Sequence, residues 1–302
     1  PIMQRWRDEG FAFDVIDAEF FYPDGPAAMR LADEFGVPFS VKARGADIHY
    51  WGRHAGSRSQ ILRAADAAGG MLCVAESLRR DMAALGMNPA KIRVHYTAVD
   101  LDRFRPTDRK TAKAALGIEG PLIASVGALI PRKGHDILIP AIATIPEVTL
   151  IIAGAGPAEA KLRALAQRCG VEDRVRLLGN VPHADLPRLL AAADVMALAS
   201  ESEGLANAWV EAMACGTPIV TTDVDGAREA VDRPAAGVLL AERTPAAFAA
   251  AIRQILASPP DPAAVRDSAL RFNFERNTTA LFEHLSAMRD VARRERRGSA
   301  KR

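Results

Sequence analysis

Glu203-Gly204-Leu205-Ala206-Asn207-Ala208-Trp209-Val210-Glu211 runs on through Ala212-Met213-Ala214-Cys215-Gly216 into the apolar run Thr217-Pro218-Ile219-Val220. A strand-like run, Val195-Met196-Ala197-Leu198-Ala199, comes just before it. A helix that follows a strand is a place to hold an anion, because its first backbone N–H groups have no internal partner. Two glutamates eight residues apart on a helix are separated by about 12 Å along its axis, at 1.5 Å per residue. That reach suits a grip on two hydroxylated ends of one elongated ligand. Taken alone, the stretch reads equally well as a buried helix with two solvated glutamates.

Outward from this stretch, short apolar runs alternate with helical ones, the pattern of a parallel α/β sheet. Strands are expected at 122–126, 148–153, 175–178, 195–198, 218–221 and 237–240. Helices are expected at 135–143, 158–169, 184–192, 205–215, 227–231 and 245–257. Six strands with intervening helices complete a doubly wound domain. The first third of the chain supplies only strands at 11–16, 37–41, 71–74 and 92–96, with helices at 26–35, 58–68 and 77–85. It reads as the back part of a similar domain whose front is missing, since the chain opens on Pro1-Ile2-Met3-Gln4 without a clear first element. The polar, proline-containing segment 101–108 reads as a connection. The expected domains are therefore 1–105, 106–260 and a helical end with a basic tail at 261–302. The tail, from Arg293 to Arg302, reads as a solvated frayed end or, less simply, as a segment attracted to an anionic membrane.

Composition narrows the function. The 302 residues are 49% hydrophobic and 25% charged, as in a soluble globular protein, and the formal charge of +2 gives no case for nucleic acid as a partner. Cys73, Cys169 and Cys215 are widely spaced in apolar contexts, form no metal-ligand pattern and read as reduced core residues of a cytoplasmic protein. No apolar run is of membrane-spanning length, and no stretch of these residues reads as a signal peptide.

The groups suited to chemistry cluster after strand ends, where open α/β sheets bind ligands. Val126-Gly127-Ala128-Leu129-Ile130-Pro131-Arg132-Lys133-Gly134-His135 places two cations on one loop, with glycines that permit close backbone approach. Such cations suit a diphosphate and stabilise it as a leaving group gaining charge; two surface cations are the alternative. Gly154-Ala155-Gly156-Pro157 is a weak dinucleotide fingerprint and an ordinary tight turn. Leu178-Gly179-Asn180-Val181-Pro182-His183 offers backbone to the edge of a nucleobase, and His183 itself reads as an exposed residue without a role. Asp100/Asp102 and Asp223/Asp225 are spaced as metal-binding pairs, but solvated loop residues explain both. In the first third, Val41-Lys42-Ala43-Arg44-Gly45 follows one strand. Phe20-Phe21-Tyr22 follows another, as the cover of a core or a wall for an acceptor.

With these pieces in order, the chain resembles a retaining glycosyltransferase of family 4. The resemblance implies the GT-B fold: two doubly wound Rossmann-like parallel-sheet domains facing a cleft, here with the first one incomplete. It rests on the Glu-x7-Glu stretch from Glu203 to Glu211, the diphosphate loop from Gly127 to Gly134, the linker Val99-Asp100-Leu101-Asp102-Arg103-Phe104-Arg105-Pro106 and the segment Val74-Ala75-Glu76-Ser77-Leu78. Carried over, Glu203 holds the donor sugar's hydroxyls, helped by the N–H groups of Gly204 and Leu205. Glu211 takes the ribose, Lys133 the diphosphate, and Gly127, Asn180 and Val181 the rest of the nucleotide.

The resemblance further implies transfer of a hexose from a nucleoside diphosphate sugar to a glycan or lipid-linked acceptor, with retention, in cell-surface polysaccharide or glycolipid synthesis. It implies no metal and no cofactor beyond that co-substrate. Three positions depart from the family. Ala128 stands where arginine is usual, and Arg132 is the candidate for the lost charge. Arg44-Gly45 replaces a His-Gly, which makes Arg44 a candidate site residue. Thr97-Ala98 replaces an Asn-Gly. A nucleotide-sugar-binding fragment without turnover and a nucleotide-sugar epimerase of the same architecture are the competing readings.

Overall fold

In the computed structural model, which describes residues 2–299, two parallel sheets divide the chain between them. The first part comprises α1 (Ile2–Asp8), β1 (Ile16–Ala18), α2 (Asp24–Phe35), β2 (Phe39–Ala43), α3 (Ala46–His49), α4 (Ala55–Ala67), β3 (Gly70–Cys73), α5 (Glu76–Leu85) and β4 (Ile92–Val94). Its four strands pair in chain order, each parallel to the next. Two helices of this part stop where glycine turns the chain left-handed. Gly36 and Gly86, with φ of 62° and 114°, follow α2 and α5, and their N–H groups bond back to the last turns.

The second part comprises α6 (Arg109–Ala115), β5 (Leu122–Val126), α7 (His135–Ala143), β6 (Thr149–Ala153), α8 (Glu159–Arg168), β7 (Val175–Leu177), α9 (Leu186–Ala192), β8 (Val195–Leu198), α10 (Asn207–Ala214), β9 (Ile219–Thr222), α11 (Ala227–Ala230), β10 (Gly237–Leu240), α12 (Pro245–Ala257) and α13 (Pro262–Asp267). The long α14 (Phe274–Ser299) ends the described chain. The six strands lie in the order β10-β9-β8-β5-β6-β7, all parallel. The inner strands are covered on both faces, which is why β5, β6 and β8 read as largely apolar, buried runs. One face is closed by Leu138, Ile139 and Ile142 of α7, Leu162 of α8 and Phe248, Ile252 and Ile255 of α12, all buried. Burying Phe248 alone contributes about 2–3 kcal/mol. On α10 every residue from Ala208 to Ala214 is buried, Trp209 completely. The starts of α6, α12 and α13 are capped by Asp108, Thr244 and Asp261, whose side chains accept the N–H groups of Thr111, Ala247 and Ala263.

The compact units differ from the boundaries expected at 105 and 260. One unit runs to Tyr96 and resumes at Asn277; the other is Thr97–Arg276. The segment 97–104 joins the second unit because Val99 donates its N–H to Phe272 O at 2.7 Å and bridges Asn273 in parallel. α13 stays with the second unit, whereas α14 returns to the first. There the ring of His95 bonds Asn277 O at 2.9 Å, and His284 Nε2 lies 3.0 Å from Ser40 Oγ. Burial, with Arg93 and His95 adding, pushes His284 down to about 4.

Three further expectations are corrected. The start of the chain is a helix, α1. The expected strand at 11–16 begins only at Ile16, because Phe13 packs its ring 5.2 Å from Phe35 instead of entering the sheet. The basic tail is helical to Ser299, and Arg293 pairs with both oxygens of Asp14 at 3.0 Å; residues 300–302 lie outside the described part.

Candidate active site

In the second unit the strand order reverses between β5 and β8: the chain moves outward from β5 to β7, then returns beyond β5 with β8. The loops after these two strands leave towards opposite faces, and the crevice between them is where such sheets take ligands. They are the loop 127–134, with Gly127, Arg132 and Lys133, and the loop 199–206, with Glu203, Gly204 and Leu205.

Lys133 Nζ donates to Glu203 Oε1, and Ser200 Oγ donates to the same oxygen at 2.7 Å. Arg132 Nη1 lies 3.9 Å from Glu203 Oε2 and donates to the carbonyl of Ser202. The Lys133 and Glu203 side chains are only 16% and 10% exposed, so the pair is largely out of water; Arg132 is 40% exposed at its edge. The loop carrying Glu203 is pinned from below. Asp225 accepts the N–H of Glu203 at 2.8 Å and the hydroxyl of Ser202 at 2.9 Å, and is itself held at a φ of 38°. Arg243 clamps both loops, donating to Ala199 O at 2.7 Å and Pro131 O at 3.2 Å. Among the described residues, no hydrogen bond takes up the N–H of Gly204 or Leu205. Both are buried just ahead of α10, which begins two residues later than expected.

The glycines divide into two kinds. A Cβ on Gly134, whose φ is 68°, would sit 2.1 Å from Ala199 O, and one on Gly154 would sit 1.9 Å from Gly127 O. These two permit the close packing of neighbouring strand ends. Gly127 does not need to be glycine for space: a Cβ there would meet only Lys133 Cδ, at 3.5 Å. Its N–H is engaged, donating to Ala153 O at 3.0 Å. Below the same loop His135 is buried, with Nδ1 3.1 Å from Ser125 Oγ. Burial pushes its pKa down, partly offset by the backbone of Ala128 and Gly127.

Eight residues after Glu203, the buried carboxylate of Glu211 accepts from His183 Nε2 at 2.8 Å. Asn180 and Val181 sit on the turn after β7, whose Gly179 carbonyl accepts the N–H of Gly154 at 2.8 Å. Arg44 is placed in the first unit, where Glu19 takes its guanidinium and its own N–H bonds Asp47 at 3.0 Å. The sequence reading did not find Ser200 or Arg243, gave His183 no role and took Asp225 for a solvated loop residue. Of the acidic pairs, Asp100 closes a turn by accepting the N–H groups of Asp102 and Arg103, while Asp223 pairs with Arg228 and Asp225 holds the Glu203 loop.

Two Rossmann-like parallel-sheet units of this kind make the chain a GT-B-type α/β protein. HepE of Anabaena, solved in complex with UDP, superposes with a TM-score of 0.83 at 23% identity, over 95% of this chain and 81% of that one. Sucrose-phosphate synthase from Thermosynechococcus elongatus gives 0.81 at 23% identity, over 95% and 76%. Family models match twice: "Glycosyltransferase Family 4" over residues 1–103 and "Glycosyl transferases group 1" over 108–272. The chain belongs to the group 1, family 4 glycosyltransferases. The D-inositol 3-phosphate glycosyltransferase of Mycobacterium tuberculosis is 38% identical over a 230-residue alignment, 70% of this chain and 48% of the relative. The chain thus spans about half the length of the curated relatives it matches. No described helix is long and apolar enough to cross a membrane.

Proposed function

We propose that the chain binds a nucleoside diphosphate sugar and takes part in transferring its hexose, with retention of configuration, to a glycan or lipid-linked acceptor. The observation that carries this reading is the largely buried Lys133–Glu203 pair at the reversal of the second sheet, with Arg132 at its rim. A leaving diphosphate gains charge as the glycosidic bond breaks. One largely buried cation, Lys133, with Arg132 at the rim therefore favours the transition state over the ground state, and no metal is needed for that charge. Glu203, steadied by Ser200 and Asp225, takes the sugar hydroxyls, helped by the N–H groups of Gly204 and Leu205. Glu211 takes the ribose hydroxyls. Retention follows from attack on the face the leaving group departs from, with the departing phosphate receiving the acceptor's proton. A cytoplasmic protein with a basic final helix suits an acceptor held at an anionic membrane face. Relatives solved with UDP support the donor class. The test is a calorimetric panel of UDP-, GDP- and ADP-sugars: binding of one class is expected, and binding of none would sink the proposal.

A further inference from the structure

Resting on the reading of Glu211 as the ribose acceptor, we propose that His183 is the positioning residue that sets this carboxylate, and with it the preference for ribonucleotides over 2′-deoxyribonucleotides. His183 Nε2 donates to Glu211 Oε1 at 2.8 Å, while Oε2 has no hydrogen-bond partner among the described residues. One oxygen fixed by a donor leaves the plane of the carboxylate set and the other oxygen free to accept from a hydroxyl. The carboxylate is 9% exposed and the imidazole 58%, so the histidine reaches inward from the rim to a group that cannot easily turn by itself.

The histidine is steadied by a segment from elsewhere in the chain. Phe104, 1% exposed, holds its ring 5.2 Å from that of His183. Phe104 is fixed in turn by its N–H on Asp100 O at 2.8 Å and by Arg266 Nη1 on its carbonyl at 2.7 Å. Arg266 also donates to Leu101 O at 2.8 Å and to Ala214 O, the last residue of the helix that carries Glu211. One guanidinium therefore ties the Asp100–Phe104 turn to α10. This gives the linker motif a task beyond joining domains: it backs the side chain that aims Glu211.

The test compares calorimetric affinities for UDP, GDP and ADP with those for their 2′-deoxy counterparts, in the whole chain and in His183→Ala and His183→Gln. The wild type is expected to prefer the ribonucleotide by about tenfold, the scale of one hydrogen bond to a charged group. His183→Ala should bring that ratio close to one, and His183→Gln, whose amide donates from a similar reach, should restore most of it. An unchanged ratio in His183→Ala, or an equal loss of affinity for both nucleotides, would overturn the role of His183 while leaving the donor reading intact. Absence of nucleotide binding in the wild type would overturn both.

Discussion

The six-stranded sheet reverses between β5 and β8, whereas the four-stranded sheet runs from β1 to β4 without a reversal. Both are wound from the same strand–helix unit, yet their polar residues are put to different uses. In the first unit they satisfy one another inside the fold. Lys42 Nζ bonds His95 Nδ1 at 2.8 Å, and burial pushes the lysine down to about 8. Asp47 accepts the N–H groups of Phe21, Arg44 and Gly45. In the second unit the reversal parts two loops, and Lys133, Glu203 and Arg132 gather on their ends, Glu203 held also by Ser200 and Arg132 by the Ser202 carbonyl, with Arg132 at the solvent rim. A buried ion pair is a poor source of stability, so one at a switch point is better understood as a pair kept for a ligand.

The sharpest way to break this comparison is Glu203→Ala. Removing the carboxylate leaves Lys133 half-stranded and the sugar unheld. We expect donor turnover, assayed by nucleotide release, to fall about 10²–10³-fold, with nucleotide affinity changed much less. Undiminished turnover would mean that the pair is only structural. The first unit is probed by acid. His284 takes its proton near 6.5 when unfolded but only at about 4 when folded, so between those values the unfolded chain binds the extra proton. Stability is full above pH 6.5 and is lost on acidification, by up to about 3 kcal/mol from this residue. Asp17 and Asp47, whose carboxyls burial pushes up, act in the opposite sense. The readable quantity is therefore the difference between wild type and His284→Gln in thermal melts from pH 7 to 4, which should narrow as pH falls.

Gly154→Ala tests whether the packing of strand ends shapes the second site. Its Cβ meets the Gly127 carbonyl at 1.9 Å, and the backbone must move. A cost of about 2 kcal/mol, or roughly 4–8 °C in melting temperature, is expected, with weaker nucleotide binding. The smallest effect is expected from Arg132→Ala. The residue is 40% exposed and 3.9 Å from Glu203, so about a fivefold loss in donor kcat/KM is expected. If donor turnover were unchanged, Arg132 would not be standing in for the charge missing at Ala128.

Much of the second unit was legible from its residues because buried parallel strands announce themselves as apolar runs. β5, β8 and β10 fall where those runs lie, and Gly134 and Pro245 mark the starts of α7 and α12. The first unit was less legible. Phe11 and Phe13 look like strand residues, but aromatic packing against Phe35 takes them out of the sheet. The arginines after Val291 carry no apolar stripe, so nothing local signals that α14 continues to Ser299. At the site, Arg132, Lys133 and Glu203 lie on two loops that sheet topology joins, and topology could be anticipated. Asp225 and His183 could not be found that way: each reaches its glutamate across more than twenty residues of intervening strand and helix. Short-range spacing holds no record of such a meeting.

The bond between Val99 and Phe272 places the entry and exit of the second unit side by side. A body entered and left at one doorway can be lifted out by two neighbouring cuts, its own sheet and caps untouched. Residues 97–276 are then a continuous stretch whose two ends are neighbours, the arrangement that lets a domain be inserted or permuted without breaking its core.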